Sequence, residues 1–285
     1  MTTIWTGLSV GAVYALVALG YNIVFLSSGA LNFANASLIM LGTFVTYWAL
    51  RTEHLPFPVA ILVAAATVTL VAVVQERVGI RPVTSMDGLL VTTVGAATIL
   101  SGVAQVIWGS TPLPVPFPGP KNPLTVLGGR VFADELSLIV AAVALSVGAW
   151  ITLRRTMLGL AFLAASEDQE ASTLRGLDAR WLRLLAFAVS GLLAGAAACL
   201  VGPQTLAYPD LGSTLALTGF VALALGGFGS VLGGLIGGLA IGLIDAVVAS
   251  QLGGSYSDLF LFGVLLLVLM ARPSGLLGRT RERIV

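Results

Sequence analysis

The chain has 285 residues, of which 57% are hydrophobic and only 9% are charged, and its mean hydropathy is +1.01. Soluble domains usually carry about 25% charged residues, so this composition excludes that class and predicts an all-α polytopic membrane protein. The formal net charge of +1 gives no electrostatic basis for a nucleic-acid partner. No Lys or Arg precedes the first apolar run, so we expect it to be retained rather than removed as a signal peptide.

Apolar runs recur along the whole chain, and a helix of about 20 such residues crosses the hydrocarbon core of a bilayer. We predict about 8–9 transmembrane helices with broken or re-entrant segments, because two Gly-rich runs could instead form one span and a re-entrant hairpin. The predicted spans are 4–26, 31–50, 57–75, 89–108, 136–153, 184–202, 214–228, 231–250 and 257–271.

Lys and Arg in the loops predict the orientation, because they concentrate on the cytoplasmic side. With the 154–183 loop in the cytoplasm, eleven basic residues lie inside and three outside. The C-terminus is then inside. The N-terminus is outside with nine spans and inside with eight.

The first two spans are joined by SSGALNFAN, which carries Ser28, Asn32, Phe33 and Asn35 but no charge. Such a turn can sit at membrane depth if its backbone faces protein or a water-filled path, and broken helices of this kind build transporter pathways. One interpretation is that these four residues line a substrate path. The alternative is an ordinary short surface turn.

The predicted outer loop, 109–135, has prolines at every second position from 112 to 120, which favours an extended track. The segment TVLGGRVF then predicts a small hairpin with Gly128 and Gly129 as its two-residue turn. The loop could cap the helix ends or dock an external partner.

The predicted cytoplasmic loop, 154–183, contains a short charged helix over 167–175. Ser166 and Gln169 have the spacing of a capping box, and Gly176 can supply a left-handed end. Acidic residues suit the first turn because the helix dipole favours anions there. Membrane-surface helices are usually basic, so we expect this segment to contact a protein, through Ser166, Glu167, Asp168, Gln169, Glu170, Ala171, Leu174 and Gly176.

A late Gly-rich run, 226–245, has glycines at four-residue spacing, which lets helix backbones approach closely. Dense packing is one interpretation and a hinge or gate is the other; the packing residues would be Gly226, Gly227, Gly229, Gly233 and Gly237. The run ends at Asp245, an acid inside a span. Intramembrane acids are costly and often functional, so Asp245 is either on the substrate path or a hydrated structural acid.

Three blocks resemble permeases of the branched-chain amino acid type in ATP-binding-cassette importers. YALVALGYNIVFLSSGALNFANASLIMLGTF resembles the family's first block, and GGFGSVLGGLIGGLAIGLID its late Gly-rich block. The 158–178 segment resembles the cytoplasmic coupling loop through Leu158, Gly159, Ala161, Ala164, Glu167, Asp168, Ala171, Gly176 and Asp178. Asn35-Ala36 stands where relatives often have His-Gly, and Phe162-Leu163 where they often have Arg.

The resemblance implies a single transmembrane permease domain over 1–285 in a bacterial inner membrane. Its partners would be ATPase subunits seated on the 154–183 coupling loop, an extracytoplasmic substrate-binding protein, a second permease subunit forming a homo- or heterodimer, and membrane lipid. The solute would be a branched-chain or related small hydrophobic amino acid, with urea, a short amide or another small organic solute as the alternative. No cofactor or metal is implied.

Other classes of protein fit the sequence less well. The chain has no G-x-x-x-x-G-K-[ST] phosphate loop, so we expect no ATP hydrolysis and no enzyme activity of its own. An intramembrane serine protease needs a membrane histidine, but His54 is in a loop, and an aspartyl protease needs two membrane acids. A self-contained small-solute channel remains a competing hypothesis, which co-purification of an ATPase would exclude.

Overall fold

The structure, a computed structural model, describes residues 2–83, 85–120, 122–126, 128–167, 172, 176–272 and 275. Ten helices of eleven or more residues account for most of this part of the chain. In chain order they are α1 Thr2–Ser28, α2 Ala34–Tyr47, α3 Phe57–Val74, α4 Met86–Trp108, α5 Ala133–Arg155, α6 Met157–Glu167, α7 Ala179–Thr205, α8 Leu211–Gly226, α9 Val231–Leu252 and α10 Ser257–Ala271.

Each predicted span coincides with one of these helices, which confirms the prediction of an all-α polytopic membrane protein. Six helices are long and apolar enough to cross a membrane: α1, α3 with its extension, α4, α5, α7 and α9. With 16 and 15 residues, α8 and α10 reach only about 24 and 23 Å, whereas α2 with its extension covers 34–52. Helices α8 and α10 are therefore the short segments among the predicted spans.

The sequence predicts a loop over 154–183, but the structure places helix α6 at its start. Its sequence, MLGLAFLAASE, is largely apolar, and Phe162 and Ala165 are buried against α1 and α7. Only Thr156, in an extended conformation, separates α6 from α5. The polar part of the loop therefore begins about ten residues later than the predicted boundary.

Two helices end in π-helical turns. The segments Trp48–Thr52 and Gln75–Ile80 extend α2 and α3, with hydrogen bonds spanning five residues, such as Arg81 N to Glu76 O at 2.7 Å. Isolated π turns often occur at functional sites. The second one carries the side chains of Gln75 and Glu76 into the protein interior.

Helix α1 lies at the centre of the bundle. The most apolar window of α1 is 83% buried, whereas that of α4 is 11% buried. A helix that is apolar on all sides belongs in a core, and α1 packs against α7, α8 and α9. Its contact with α9 is close because Gly11 faces Gly238 and Gly242.

Helices α8 and α9 form a tight antiparallel pair. A Cβ on Gly226 would collide with the backbone of Gly233, and one on Gly237 with the backbone of Ala222. Gly227 and Gly229, with φ of +107° and +76°, form the turn between the two helices and do not lie in the contact between them. The expected close-packing role therefore matches the geometry of Gly226, Gly233 and Gly237.

The Pro-rich loop contains the predicted hairpin, with strands β1 Leu124–Val126 and β2 Gly129–Val131. The predicted turn is wrong at one residue: Gly129 pairs with Val126 and therefore belongs to the strand. Leu113 pairs with Ala207 through two backbone hydrogen bonds of 2.9 Å. This ladder ties the loop to the α7–α8 connection, as the cap interpretation predicts.

Candidate functional site

The break between α1 and α2 carries most of the polar residues expected on a substrate path. Gly29 has φ +67°, and the Ser28 hydroxyl donates to the Val24 carbonyl at 2.9 Å. A Cβ on Gly20 would collide with Asn35, although α1 continues for eight more residues. These eight residues span about 12 Å. The chain therefore turns back along α1, and α2 starts inside the bundle.

Asn35 is a structural link between three helices. Its side chain is 1% exposed, its Oδ1 accepts a hydrogen bond from Ser190 Oγ at 2.6 Å, and its Nδ2 donates to the Val17 carbonyl at 3.5 Å. Buried polar groups are normally paired in this way. Asn35 therefore holds α2 against α1 and α7, and it does not line an open cavity.

Asn32 is equally buried, at 1% exposure. Its Oδ1 accepts from Gln75 Nε2 at 2.8 Å and from the Ala34 amide at 3.2 Å, so it fixes the first turn of α2 and ties it to α3. The expectation that Asn32 faces a solute does not match this geometry. Ser28 likewise bonds to backbone oxygens beside it.

Phe33 belongs to a chain of five aromatic rings. Its ring centroid lies 6.1 Å from that of Tyr21 and 5.9 Å from that of Phe220. Phe220 continues to Phe228 at 6.2 Å, and Phe228 to Phe25 at 5.8 Å. We call these five residues the aromatic cluster. It fills the space between the α1–α2 break and the α8–α9 turn.

A groove of about 400 Å³ runs from Phe33 between α2, α4 and α8. Its walls combine hydroxyl groups with aliphatic side chains and include one acidic residue, Asp210. The lining residues are Phe33, Ser37, Val94, Ala97, Thr98, Ser101, Asp210, Gly212, Ser213, Ala216 and Leu217. Of the residues expected on a substrate path, only Phe33 lines this groove.

Asp245 lies on α9, away from the groove. The Tyr14 hydroxyl donates to its Oδ2 at 2.7 Å, which joins α1 to α9, and the carboxylate is partly exposed. This geometry favours the structural interpretation of Asp245 over a place on the groove.

The coupling segment is described at its two ends. Ser166 was expected to cap a helix beginning at 167, but it lies in the last turn of α6, where its hydroxyl donates to the Leu163 carbonyl at 2.7 Å. The prediction failed because the apolar face of α6 carries the helix through Ser166 to Glu167. Asp168, Gln169, Glu170, Ala171 and Leu174 lie outside the described residues.

Gly176 has the left-handed conformation expected of it, with φ +87°. The Leu177 amide donates to the Ser172 carbonyl at 3.1 Å, the six-to-one hydrogen bond of a Schellman helix end. Asp178 follows and caps α7, because its Oδ1 accepts from the Arg180 amide at 2.8 Å. The chain thus passes from a helix end directly into a capped helix.

Several residues of this region were not found from sequence. Gln75 and Glu76 follow an apolar run, so the sequence suggests the start of a loop. In the structure both are buried, and Glu76 forms an ion pair with Arg183 at 3.4 Å. Ser190 and Phe220 lie inside apolar runs, where neither residue type stands out. The one available signal was Glu76, since an acid beside Arg77 and Arg81 departs from the basic pattern of that loop.

Comparisons with known proteins agree with this architecture. The family model described as "Branched-chain amino acid transport system / permease component" matches residues 3–269. The chain is 31% identical to the high-affinity branched-chain amino acid transport system permease protein BraD of Pseudomonas aeruginosa, and 29% identical to LivH of Escherichia coli K12, a permease protein of the same description. Each comparison covers 96% of this chain and 94% of the relative.

A solved structure shares the fold. PsaBC from Streptococcus pneumoniae in complex with Fab superimposes with a TM-score of 0.52 and 12% identity, over 96% of this chain and 93% of the other.

Proposed function

This chain belongs to the family of branched-chain amino acid transport system permease components, and we propose that it is the membrane-spanning subunit of an ATP-driven importer. The observation that carries this proposal is the family match over 3–269, which takes in all ten helices except the first residue of α1 and the last two of α10. The chain is a multi-pass protein of the bacterial inner membrane, as its relatives and its apolar helices indicate.

The proposed solute is a branched-chain or related small hydrophobic amino acid. The groove beside Phe33 supports this class because it offers both kinds of contact that such a molecule needs. Asp210 can attract an α-ammonium group, hydroxyls such as Thr98 and Ser213 can bond a carboxylate, and Val94 and Leu217 can cover an aliphatic side chain. Urea and short amides gain little from an aliphatic wall, which makes them the weaker candidates.

The groove is open along one side, and we propose that a second permease subunit, like or unlike this one, closes it. Asp210 and Ser213 are exposed on the surface of the isolated chain. A carboxylate facing hydrocarbon is costly, so this face needs water or protein beside it. A path between two subunits would give both the carboxylate and the hydroxyls hydrogen-bond partners from water or protein.

At the inner end, we propose that the aromatic cluster closes the path. Phe33 belongs both to the groove and to the cluster, so movement of this one ring would open or shut the connection. Asn32 and Asn35, which flank Phe33, would hold the ring in place through their bonds to Gln75 and Ser190.

The driving force comes, in this proposal, from separate ATPase subunits seated on the coupling loop. The segment between α6 and α7 carries the acidic residues expected to meet basic groups of the ATPase, with Glu167 at its start and Gly176 at its end. An extracytoplasmic substrate-binding protein would deliver the solute on the side of the Pro-rich loop. These partner contacts are inferred from membership of the family.

Uptake of labelled leucine by cells that lack other leucine importers tests the solute class. We expect uptake only when the chain is expressed with its ATPase and binding protein, and we expect competition by unlabelled valine and isoleucine. Competition by urea or acetamide, without competition by valine, would contradict the proposed solute class while leaving the permease assignment intact.

Single-cysteine variants test the groove. Cys199 is the only cysteine and is fully buried, so Cys199→Ala gives a background without reactive thiols. In that background we expect an impermeant thiol reagent to block uptake through Thr98→Cys or Ser213→Cys, because both positions are exposed in the groove, and we expect excess solute to slow the block. Ser146→Cys, at a fully buried position away from the groove, is the matched control. Equal reactivity of all three variants would exclude this groove as the path.

A further inference from the structure

A second group of polar side chains lies buried where α2, α3 and α7 meet. Asn32, Gln75, Glu76 and Arg183 form what we call the basal polar cluster. Asn32 and Glu76 are each 1% exposed and Gln75 is 8% exposed. Two contacts join the four residues: the Gln75–Asn32 hydrogen bond at 2.8 Å and the Arg183–Glu76 ion pair at 3.4 Å.

The cluster leaves hydrogen-bonding capacity unused. Among the described residues, Asn32 Nδ2 and Gln75 Oε1 have no hydrogen-bond partner, and the ion-pair atoms Glu76 Oε1 and Arg183 Nε face each other without hydrogen-bond geometry. Two of these atoms are donors and two are acceptors. Unmet buried polar groups reduce stability and are rare in folded proteins. Because its unused donors and acceptors balance, a small shift of the side chains gives a second, differently bonded arrangement.

The cluster connects the two regions that transport must link. Arg183 lies on α7 only five residues after its cap, Asp178, which is two residues beyond the helix end at Gly176. This distance is about 7.5 Å along a rigid helix. At the other side, Asn32 precedes Phe33, whose ring belongs to the groove and to the aromatic cluster.

The packing around the cluster favours a shared movement. Phe187, one turn along α7 from Arg183, packs with Val24 near the end of α1 and with Ile80 in the π-helical turn. Gln75 and Glu76 begin that turn, so a change in its winding would rotate both side chains. Coupling between distant sites requires such an element with two discrete arrangements.

We propose that Gln75, Glu76 and Arg183 are positioning residues that transmit displacement of the coupling loop to Phe33. When α7 moves with the loop, Arg183 shifts the carboxylate of Glu76. The neighbouring Gln75 then breaks or re-forms its hydrogen bond to Asn32. As a result, the Phe33 ring moves out of the aromatic cluster or returns to it. This inference rests on the proposed function, and it assigns to three residues a role in coupling rather than in solute contact.

The test compares solute transported per ATP hydrolysed in proteoliposomes that contain the whole complex. Glu76→Gln keeps the shape of the side chain and removes its charge. We expect it to retain its ATPase, to keep basal hydrolysis within about twofold, and to move about 10-fold less solute per ATP. Arg77→Gln on the same π turn and Arg81→Gln directly after it are matched controls, because both arginines are exposed. We expect both control variants to transport as much solute per ATP as the wild-type complex.

A second variant keeps the test decisive if Glu76→Gln does not assemble. Gln75→Met has similar length, removes the bond to Asn32 and leaves no unmet amide at position 75, so we expect assembly with the same loss of coupling. The double variant Glu76→Arg with Arg183→Glu should recover part of the solute transported per ATP, because opposite charges again face each other.

The proposal is overturned if Gln75→Met or Glu76→Gln assembles and keeps the wild-type ratio. It is also overturned if uptake and hydrolysis fall in parallel with the amount of assembled complex, because that result indicates a purely structural cluster. Failure of the wild-type complex to show any ATP-driven uptake would instead contradict the proposed function, so the two failures are distinguishable.

Discussion

Substitution of Gly238 by alanine tests the close packing of α1 against α9. A Cβ at this position would lie 2.6 Å from Ala15 Cα and 2.7 Å from Ala15 Cβ. Overpacking of this kind usually costs about 1–3 kcal/mol, and the gain in helix propensity returns at most about 1 kcal/mol. With the full propensity gain, we expect a net loss of up to about 2 kcal/mol for Gly238→Ala.

Gly102→Ala is the matched control, because a Cβ there has no neighbour within 4 Å among the described residues. This variant has the same propensity gain, of about 1 kcal/mol, without a collision. The gain cancels between the two variants, so they should differ by the overpacking cost alone, about 1–3 kcal/mol. At about 2–4 °C per kcal/mol for a chain of this size, their unfolding midpoints should differ by about 2–12 °C.

Cys199 supplies the assay, since it is the only thiol and is fully buried. A thiol-reactive fluorophore added to the purified protein in detergent reports unfolding when Cys199 becomes accessible. We expect the midpoint of Gly238→Ala to fall and that of Gly102→Ala to stay or rise. Equal midpoints for the two variants would refute the close approach of α1 and α9.

Three further predictions concern the site. Phe33→Ala should open the aromatic cluster, so that proteoliposomes loaded with labelled leucine leak it without ATP; tight vesicles would exclude this gate. Ser190→Ala removes the donor to Asn35 Oδ1 and should cost about 1–3 kcal/mol, measured as a lower midpoint with the thiol-reactive fluorophore; an unchanged midpoint would show that the bond contributes little. Glu167→Lys should insert normally but lose its ATPase on co-purification, and full retention of the ATPase would contradict the charge contact.

Much of the helical framework follows from the sequence, because apolar runs long enough to cross a bilayer have few other structures available. The same reasoning missed α6, since a short apolar helix beside a full span does not differ in composition from the end of that span. It also did not reveal that Ser166 lies within α6, because the spacing of polar residues there says nothing of the buried face formed by Phe162 and Ala165.

The site was harder to predict than the fold. The polar joint at 27–35 was correctly singled out as unusual, but the sequence alone does not reveal which of its side chains point inward. Asn32 and Asn35 are bonded to Gln75 and Ser190, partners 43 and 155 residues away along the chain. Such long-range pairing depends on how helices pack, and no local pattern encodes it. Phe33 looked the least polar of the group, yet it alone lines the groove.

Accumulation of labelled leucine by proteoliposomes tests the central claim most directly. The chain is reconstituted with its ATPase and a second permease subunit, with binding protein on one side and ATP on the other. The account predicts uptake above the external concentration with ATP, and none with a non-hydrolysable analogue or without the ATPase. Equal uptake with and without ATP hydrolysis would contradict it, because that result describes a self-contained channel.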